Sequence, residues 1–171
     1  MALNDAITAH HEAAHAVVLY RANGEFSGGG IDIVEQNGCL GKAYDAISDS
    51  ENPKHLIAVV LSCYAGAAAQ QKVDPSTGND GCNLDDETAA KYLGWLGESA
   101  EEAKYRRESA DLVDQHWAEI TAVATELVER RELDETEVET IADCTRDGED
   151  WRPMLRRYRL QFKRSPRGER R

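Results

Sequence analysis

The chain has 171 residues, of which 41% are hydrophobic and 30% are charged, a composition typical of one globular domain and not of a disordered protein. Its net charge is −12, yet residues 151–171 hold nine Lys or Arg and one acidic residue. An acidic body of this kind excludes nucleic acid and anionic membranes as expected partners. We predict a domain over residues 1–148 and a basic tail over 149–171. The tail either binds an acidic partner or, as we favour, folds back on the body.

The sequence predicts a cytoplasmic protein with reduced thiols. No run of about 18 apolar residues indicates a membrane span, and no signal peptide is evident before the first helix. The four cysteines are scattered, with no C-x-x-C pair among them. This spacing argues against a zinc ribbon or a redox motif, and reduced cysteines are the default in the cytoplasm.

The first predicted element is a helix that begins at Asn4 or Asp5, either of which can cap it, and continues to about Arg21. Residues 31–34 alternate in polarity and are rich in branched side chains, a pattern that is typical of a strand. A second strand is predicted over residues 39–44, after an Asn-Gly turn. Together these segments predict a small sheet close to the first helix.

A second helix is predicted to open at Asn52-Pro53 and to reach about Gln71, because asparagine caps helices and proline loses nothing in the first turn. The small residues at 65–69 allow another helix to approach closely. A polar loop follows over residues 73–82. Further helical segments are predicted over residues 84–96, 99–131 and 134–144. The expected fold class is mostly α (α+β), with one small sheet.

The first helix carries an H-E-x-x-H pattern. His11 and His15 lie four residues apart, so their side chains point the same way and can bind one Zn²⁺ from one side. Glu12 is displaced around the helix but can reach a zinc-bound water. Zinc would lower the pKa of that water toward about 7, and Glu12 would take its proton as it attacks a peptide carbonyl. The alternative is that both histidines are ordinary core residues and the pattern is coincidental.

A catalytic zinc also needs a third protein ligand and an open position. The metzincin extension of the motif is absent, because Val18 and Arg21 stand where glycine and a third histidine are required. The best-placed candidates follow the polar loop, near the start of the third helix: Asp80, Asp85, Asp86 and Glu87. Acidic residues at a helix N-terminus are also favoured by the helix dipole without any metal.

The order of these segments resembles the peptidase domain of FtsH-type ATP-dependent zinc metalloproteases. Residues 11–16 are similar to that family's H-E-A-G-H-A, with Ala14 in place of glycine. Residues 31–34 and 38–43 resemble its strand and edge strand, and residues 64–69 resemble its L-G-G-R-A-A-E helix. Residues 83–89 are similar to its D-x-x-x-A helix start, and residues 112–141 match its C-terminal helical hairpin loosely. The D-x-x-x-A match implies that Asp85 is the third ligand, with Asp86 and Asp80 as alternatives.

The resemblance implies a zincin-like helical domain with a small sheet after the motif helix, and Zn²⁺ as its cofactor. It implies a metallopeptidase that acts on peptides or unfolded segments. Because no Walker motif is present in this sequence, such a peptidase would work as a homo-oligomer or with a separate unfoldase partner. Gln70 replaces a family glutamate, which puts a supporting role at that position in doubt. Two other functions stay open: a non-catalytic binding or adaptor module on the same fold, and a zinc hydrolase for a small molecule.

Overall fold

The computed structural model describes residues 3–24, 26, 30–34, 52–77 and 82–162. Within these residues it contains seven α-helices and one two-stranded antiparallel sheet, so the prediction of a mostly α (α+β) fold is confirmed. The predicted strand over residues 39–44 and the candidate ligand Asp80 lie outside the described residues.

Helices α1 (Leu3–Arg21) and α2 (Pro53–Val73) form the centre of the fold and pack against each other along their lengths. Helix α2 begins as predicted, because the Asn52 side chain accepts hydrogen bonds from the backbone N–H groups of the first turn. With a mean hydropathy of 1.3, α2 is long and apolar enough to cross a membrane by length and composition alone. However, 67% of that stretch is buried within the fold, as in the core helix of a globular protein.

Three helices cover this central pair. The predicted helical stretch over residues 99–131 opens with a short 3₁₀ turn and is interrupted at His116, so it forms two α-helices. One of them packs on α2 and the other on α1. On the latter, Ile120, Val123 and Leu127 are fully buried, which agrees with the apolar stripe in the sequence. The bounds are α3 Asn83–Leu96, the 3₁₀ turn Ser99–Glu101, α4 Glu102–Gln115 and α5 Trp117–Arg130.

The sheet pairs β1 (Gly30–Asp32) with β2 (Glu132–Asp134) in antiparallel register, with Ile31 opposite Leu133. Strand β1 was predicted from its local pattern, but β2 was not, because it is short and pairs with a segment far away in the sequence. A Cβ atom on Gly30 would lie 2.5 Å from the Leu133 carbonyl oxygen, so this close pairing requires glycine.

The chain ends in two helices, α6 (Glu135–Asp147) and α7 (Arg152–Phe162), of which α7 was not predicted. Helix α7 belongs to the basic tail and packs against α6, with Leu155 buried. Its Arg159 donates hydrogen bonds to Glu137 at 2.5 Å and to Glu126 at 2.8 Å. The described part of the tail therefore folds back on the acidic body, as favoured from the sequence.

Candidate metal centre

Helix α1 brings the rings of His11 and His15 together. The Nε2 atoms of the two imidazoles are 2.9 Å apart, and the rings meet edge to face at an interplanar angle of 82°. His15 is 6% exposed, and the His11 side chain is 13% exposed. The spacing of four residues thus places the two predicted ligands on the same side of the helix, as expected.

The other nitrogen of each ring is held by α2. The Nδ1–H of His15 donates to the Ser62 carbonyl oxygen at 2.7 Å, and that of His11 donates to the Gln70 side-chain oxygen at 3.2 Å. Because both partners are acceptors, the proton of each neutral ring lies on Nδ1, and its Nε2 carries a lone pair. Two lone pairs therefore point at one place, an arrangement that a shared proton or a metal cation stabilises. The amide of Gln70 supports His11 although the resembled family has glutamate there.

Gly66 makes room for this pair of rings. It lies one turn after Ser62 and one turn before Gln70, on the same face of α2. A Cβ atom at Gly66 would lie 2.6 Å from His15 Nε2, 2.7 Å from His11 Cε1 and 2.8 Å from His11 Nε2. The imidazoles thus lie directly over the backbone of α2. The close helix approach that the small-residue segment predicted is confirmed.

Asp85, in the first turn of α3, completes the cluster. Its Oδ2 atom is 3.4 Å from His11 Nε2 and 3.4 Å from His15 Nε2. Asp86 instead forms an ion pair with Arg106, with 2.9 Å between Oδ1 and Nη2. Between these two adjacent candidates, the structure brings Asp85 to the histidines.

Two of the three donor-atom separations fit a zinc ion. Ligand atoms about 2.0–2.2 Å from a tetrahedral Zn²⁺ lie roughly 3.3–3.6 Å from each other. The two separations between Asp85 Oδ2 and the ring nitrogens, 3.4 Å each, lie in this range. The two Nε2 atoms, 2.9 Å apart, are at hydrogen-bond distance and would have to move slightly apart to hold the ion. Two neutral imidazoles with one carboxylate also form a donor set that zinc accepts.

The chain matches no protein-family model and no curated protein. Metal binding by His11, His15 and Asp85, and the resemblance to FtsH-type peptidase domains, therefore stay predictions. The support for them is the geometry of the described residues, above all the convergence of the two Nε2 atoms and the Asp85 carboxylate.

Sequence reasoning missed Cys82, the residue just before α3. Its sulfur, a ring nitrogen of His11 and a carboxylate oxygen of Asp85 all lie within 4.8 Å of one another. The residue is 1% exposed, and its thiol donates to the Gln70 side-chain oxygen at 3.7 Å. The signal in the sequence is the spacing of Cys82 and Asp85, three residues apart at a helix start, and not a pair of cysteines.

Glu12 is a buried carboxyl group beside the cluster, and the residue is 5% exposed. Burial raises the pKa of Glu12, the nearby histidines oppose this rise, and the negative charge of Asp85 adds to it. Among the residues that the structure describes, no hydrogen bond holds its carboxylate. A carboxyl group with a raised pKa, free of other partners, is suited to take a proton and give it back.

The charges of the cluster are strongly coupled. Burial and the charge of His15 lower the pKa of His11, but hydrogen bonding to Asp85 and Cys82 outweighs them and raises it to about 9. Burial also lowers the pKa of His15, and its contacts, chiefly those with Asp85, raise it to about 9. Burial raises the pKa of Asp85, but its contacts with both rings outweigh burial and hold that pKa well below its usual range.

We expect zinc binding to release at least one proton at pH 7. Because the pKa of each ring is raised from 6.5 to about 9, the metal-free pair holds a proton, shared between the two Nε2 atoms, at neutral pH. Zinc needs neutral imidazoles, so it must displace this proton, and the release should fall as the pH rises above the raised pKa of the pair. Titration calorimetry in two buffers of different ionisation enthalpy measures this release. Equal binding heats in the two buffers at pH 7 would contradict the expectation.

Proposed function

We propose that this protein is a zinc-dependent metallopeptidase that hydrolyses peptide bonds in peptides or unfolded segments. The observation that carries the proposal is the convergence of three donor atoms, from His11, His15 and Asp85, at 2.9–3.4 Å from one another. The order of elements also supports a relation to FtsH-type peptidase domains. The motif lies on α1, a small-residue helix packs beneath it, and an acidic residue reaches it from the start of α3.

Each residue has a distinct role in this proposal. His11 and His15 would hold zinc through their Nε2 atoms, and Asp85 through a carboxylate oxygen. When bound, the ion would lower the pKa of water and polarise the substrate carbonyl. Glu12 accepts the proton of the attacking water and passes it to the leaving amine nitrogen. Ser62 and Gln70 keep the two rings in the tautomer and orientation that the ligands need.

The exposure of the cluster is compatible with a substrate that enters from one side. The Asp85 side chain is 26% exposed, compared with 13% for His11 and 8% for His15. Of the three proposed ligands, Asp85 is therefore the most exposed to solvent, and α2 lies directly beneath the two rings. A hydrolase needs an exposed side of this kind, because both water and a peptide carbonyl must reach the metal.

Metal analysis of matched variants tests the proposed site. We expect about one zinc per wild-type chain, and His15→Ala or Asp85→Ala should weaken zinc binding by more than about 100-fold, since a ligand counts for more than an outer partner. Asp86→Ala is the control, because Asp86 pairs with Arg106 and should leave the zinc content unchanged. A wild-type protein that takes up no zinc would refute the proposal. Loss of zinc in Asp86→Ala, together with retention of zinc in Asp85→Ala, would refute the ligand assignment.

A further inference from the structure

Cys82 lies against the candidate metal centre, yet the proposed reaction gives it no role. It is 1% exposed and directly precedes α3, the helix that carries Asp85. Its sulfur is within 4.8 Å of a ring nitrogen of His11 and of a carboxylate oxygen of Asp85. A buried thiol that shares this space with two proposed ligands requires an explanation beyond core packing.

The coordination chemistry of zinc offers an explanation for the position of Cys82. His11, His15 and Asp85 supply three of the four ligands of a tetrahedral ion. In catalytic sites a water occupies the fourth position, whereas in structural sites a fourth side chain does. Thiolate is among the ligands that zinc prefers, and it is softer than the carboxylate already present. We propose that Cys82 is a fourth protein ligand, which closes the metal centre at rest. This inference rests on the proposed function, because it concerns the same metal.

The surroundings of Cys82 allow its sulfur to change partners. Although Cys82 occupies the N-cap position of α3, its side chain makes no capping hydrogen bond, so the helix does not depend on the thiol. The thiol donates to the Gln70 oxygen at 3.7 Å, and that oxygen also accepts the Nδ1–H of His11 at 3.2 Å. If the sulfur turns toward the centre, the hydrogen bond between His11 and Gln70 stays in place.

The exchange at the fourth position needs no oxidant. When the sulfur binds, its S–H bond breaks, the sulfur donates a lone pair to the metal, and the proton leaves to solvent. When the centre opens, the sulfur takes up a proton from solvent, donates again to Gln70, and a water replaces it. Hydrolysis is then limited to the molecules in which water has replaced Cys82.

Cobalt substitution tests this assignment without relying on activity. We expect Co²⁺-loaded wild-type protein to show visible d–d bands together with a near-ultraviolet thiolate-to-cobalt charge-transfer band. Cys82→Ser should lose the charge-transfer band and keep the d–d bands, which also report an intact site. Cys82→Ala is the second variant, because a serine oxygen could itself bind. Cys63→Ser is the matched control: Cys63 is a buried cysteine of α2, and its removal should leave the band unchanged.

The outcomes separate this inference from the proposed function. Cobalt d–d bands in the wild type without a charge-transfer band would overturn the role of Cys82 and leave the three-ligand centre standing. A charge-transfer band that is absent in Cys63→Ser and present in Cys82→Ser would also overturn the role of Cys82. No cobalt bands in any variant would overturn both proposals. As a second readout, Cys82→Ser should cleave an unfolded substrate faster than wild type, and an unchanged or slower rate with intact d–d bands would overturn the closing role.

Discussion

Glu12→Gln should lower the rate of peptide hydrolysis by about 10²- to 10⁴-fold and leave bound zinc in place. Glutamine has nearly the same volume as glutamate, so it fits the buried position, but it cannot take a proton from water. Since no described hydrogen bond depends on the Glu12 carboxylate, the fold should tolerate the change. The measurement is cleavage of a labelled, chemically unfolded protein, made beside zinc analysis and a thermal unfolding curve of the same sample.

Glu87→Gln is the matched control, because Glu87 is an exposed acidic residue of α3 and should leave the cleavage rate unchanged. A Glu12→Gln variant that binds zinc and cleaves as fast as wild type would remove Glu12 from the mechanism. A wild-type protein that binds zinc but hydrolyses no unfolded substrate would favour the binding or adaptor module, in which the centre is structural.

Gly66→Ala should disrupt the metal centre with a single methyl group. The added carbon would lie 2.6–2.8 Å from three ring atoms of His11 and His15, closer than Cβ atoms approach other groups. The rings must then rotate away, or α1 and α2 must separate. We expect a fall in zinc affinity of more than about tenfold, in line with the loss of ligand orientation, and a loss of about 1–3 kcal/mol in unfolding free energy from overpacking. Zinc titration and denaturant unfolding of metal-free protein measure the two effects.

Gly94→Ala provides the comparison for this prediction. Gly94 also lies inside a helix, but the nearest atom to an added Cβ is the Ser99 hydroxyl oxygen at 4.0 Å, an ordinary contact. There the substitution should stabilise the protein by about 0.5–1 kcal/mol, because alanine is the better helix former, and zinc affinity should not change. If Gly66→Ala bound zinc like wild type, the rings would not lie over α2 as described.

The two predictions depend on different helices. Glu12 acts from α1, next to a proposed ligand, whereas Gly66 acts from α2 by leaving space that the ligands occupy. Ser62 and Gln70 flank that space and accept the Nδ1 protons of the rings. Helix α2 therefore serves both as the core of the fold and as the support of the centre, which explains why its middle is built from small residues.

The sequence alone determined the features that depend on residues within a few helical turns of one another. The first helix and the shared direction of His11 and His15 follow from spacing within one helix, and the start of α2 follows from the cap at Asn52. The mostly α fold follows from such local signals added along the chain.

Tertiary structure decided what depends on distant partners. Asp85 and Asp86 are neighbours with nearly equal sequence signals, and packing of α3 against α2 turns one toward the histidines and the other toward Arg106. The proximity of Cys82 to His11 and the pairing of β1 with β2 likewise depend on how distant segments pack. The physical reason is that helical periodicity sets the face on which a side chain lies, whereas the group it meets depends on how separate elements pack.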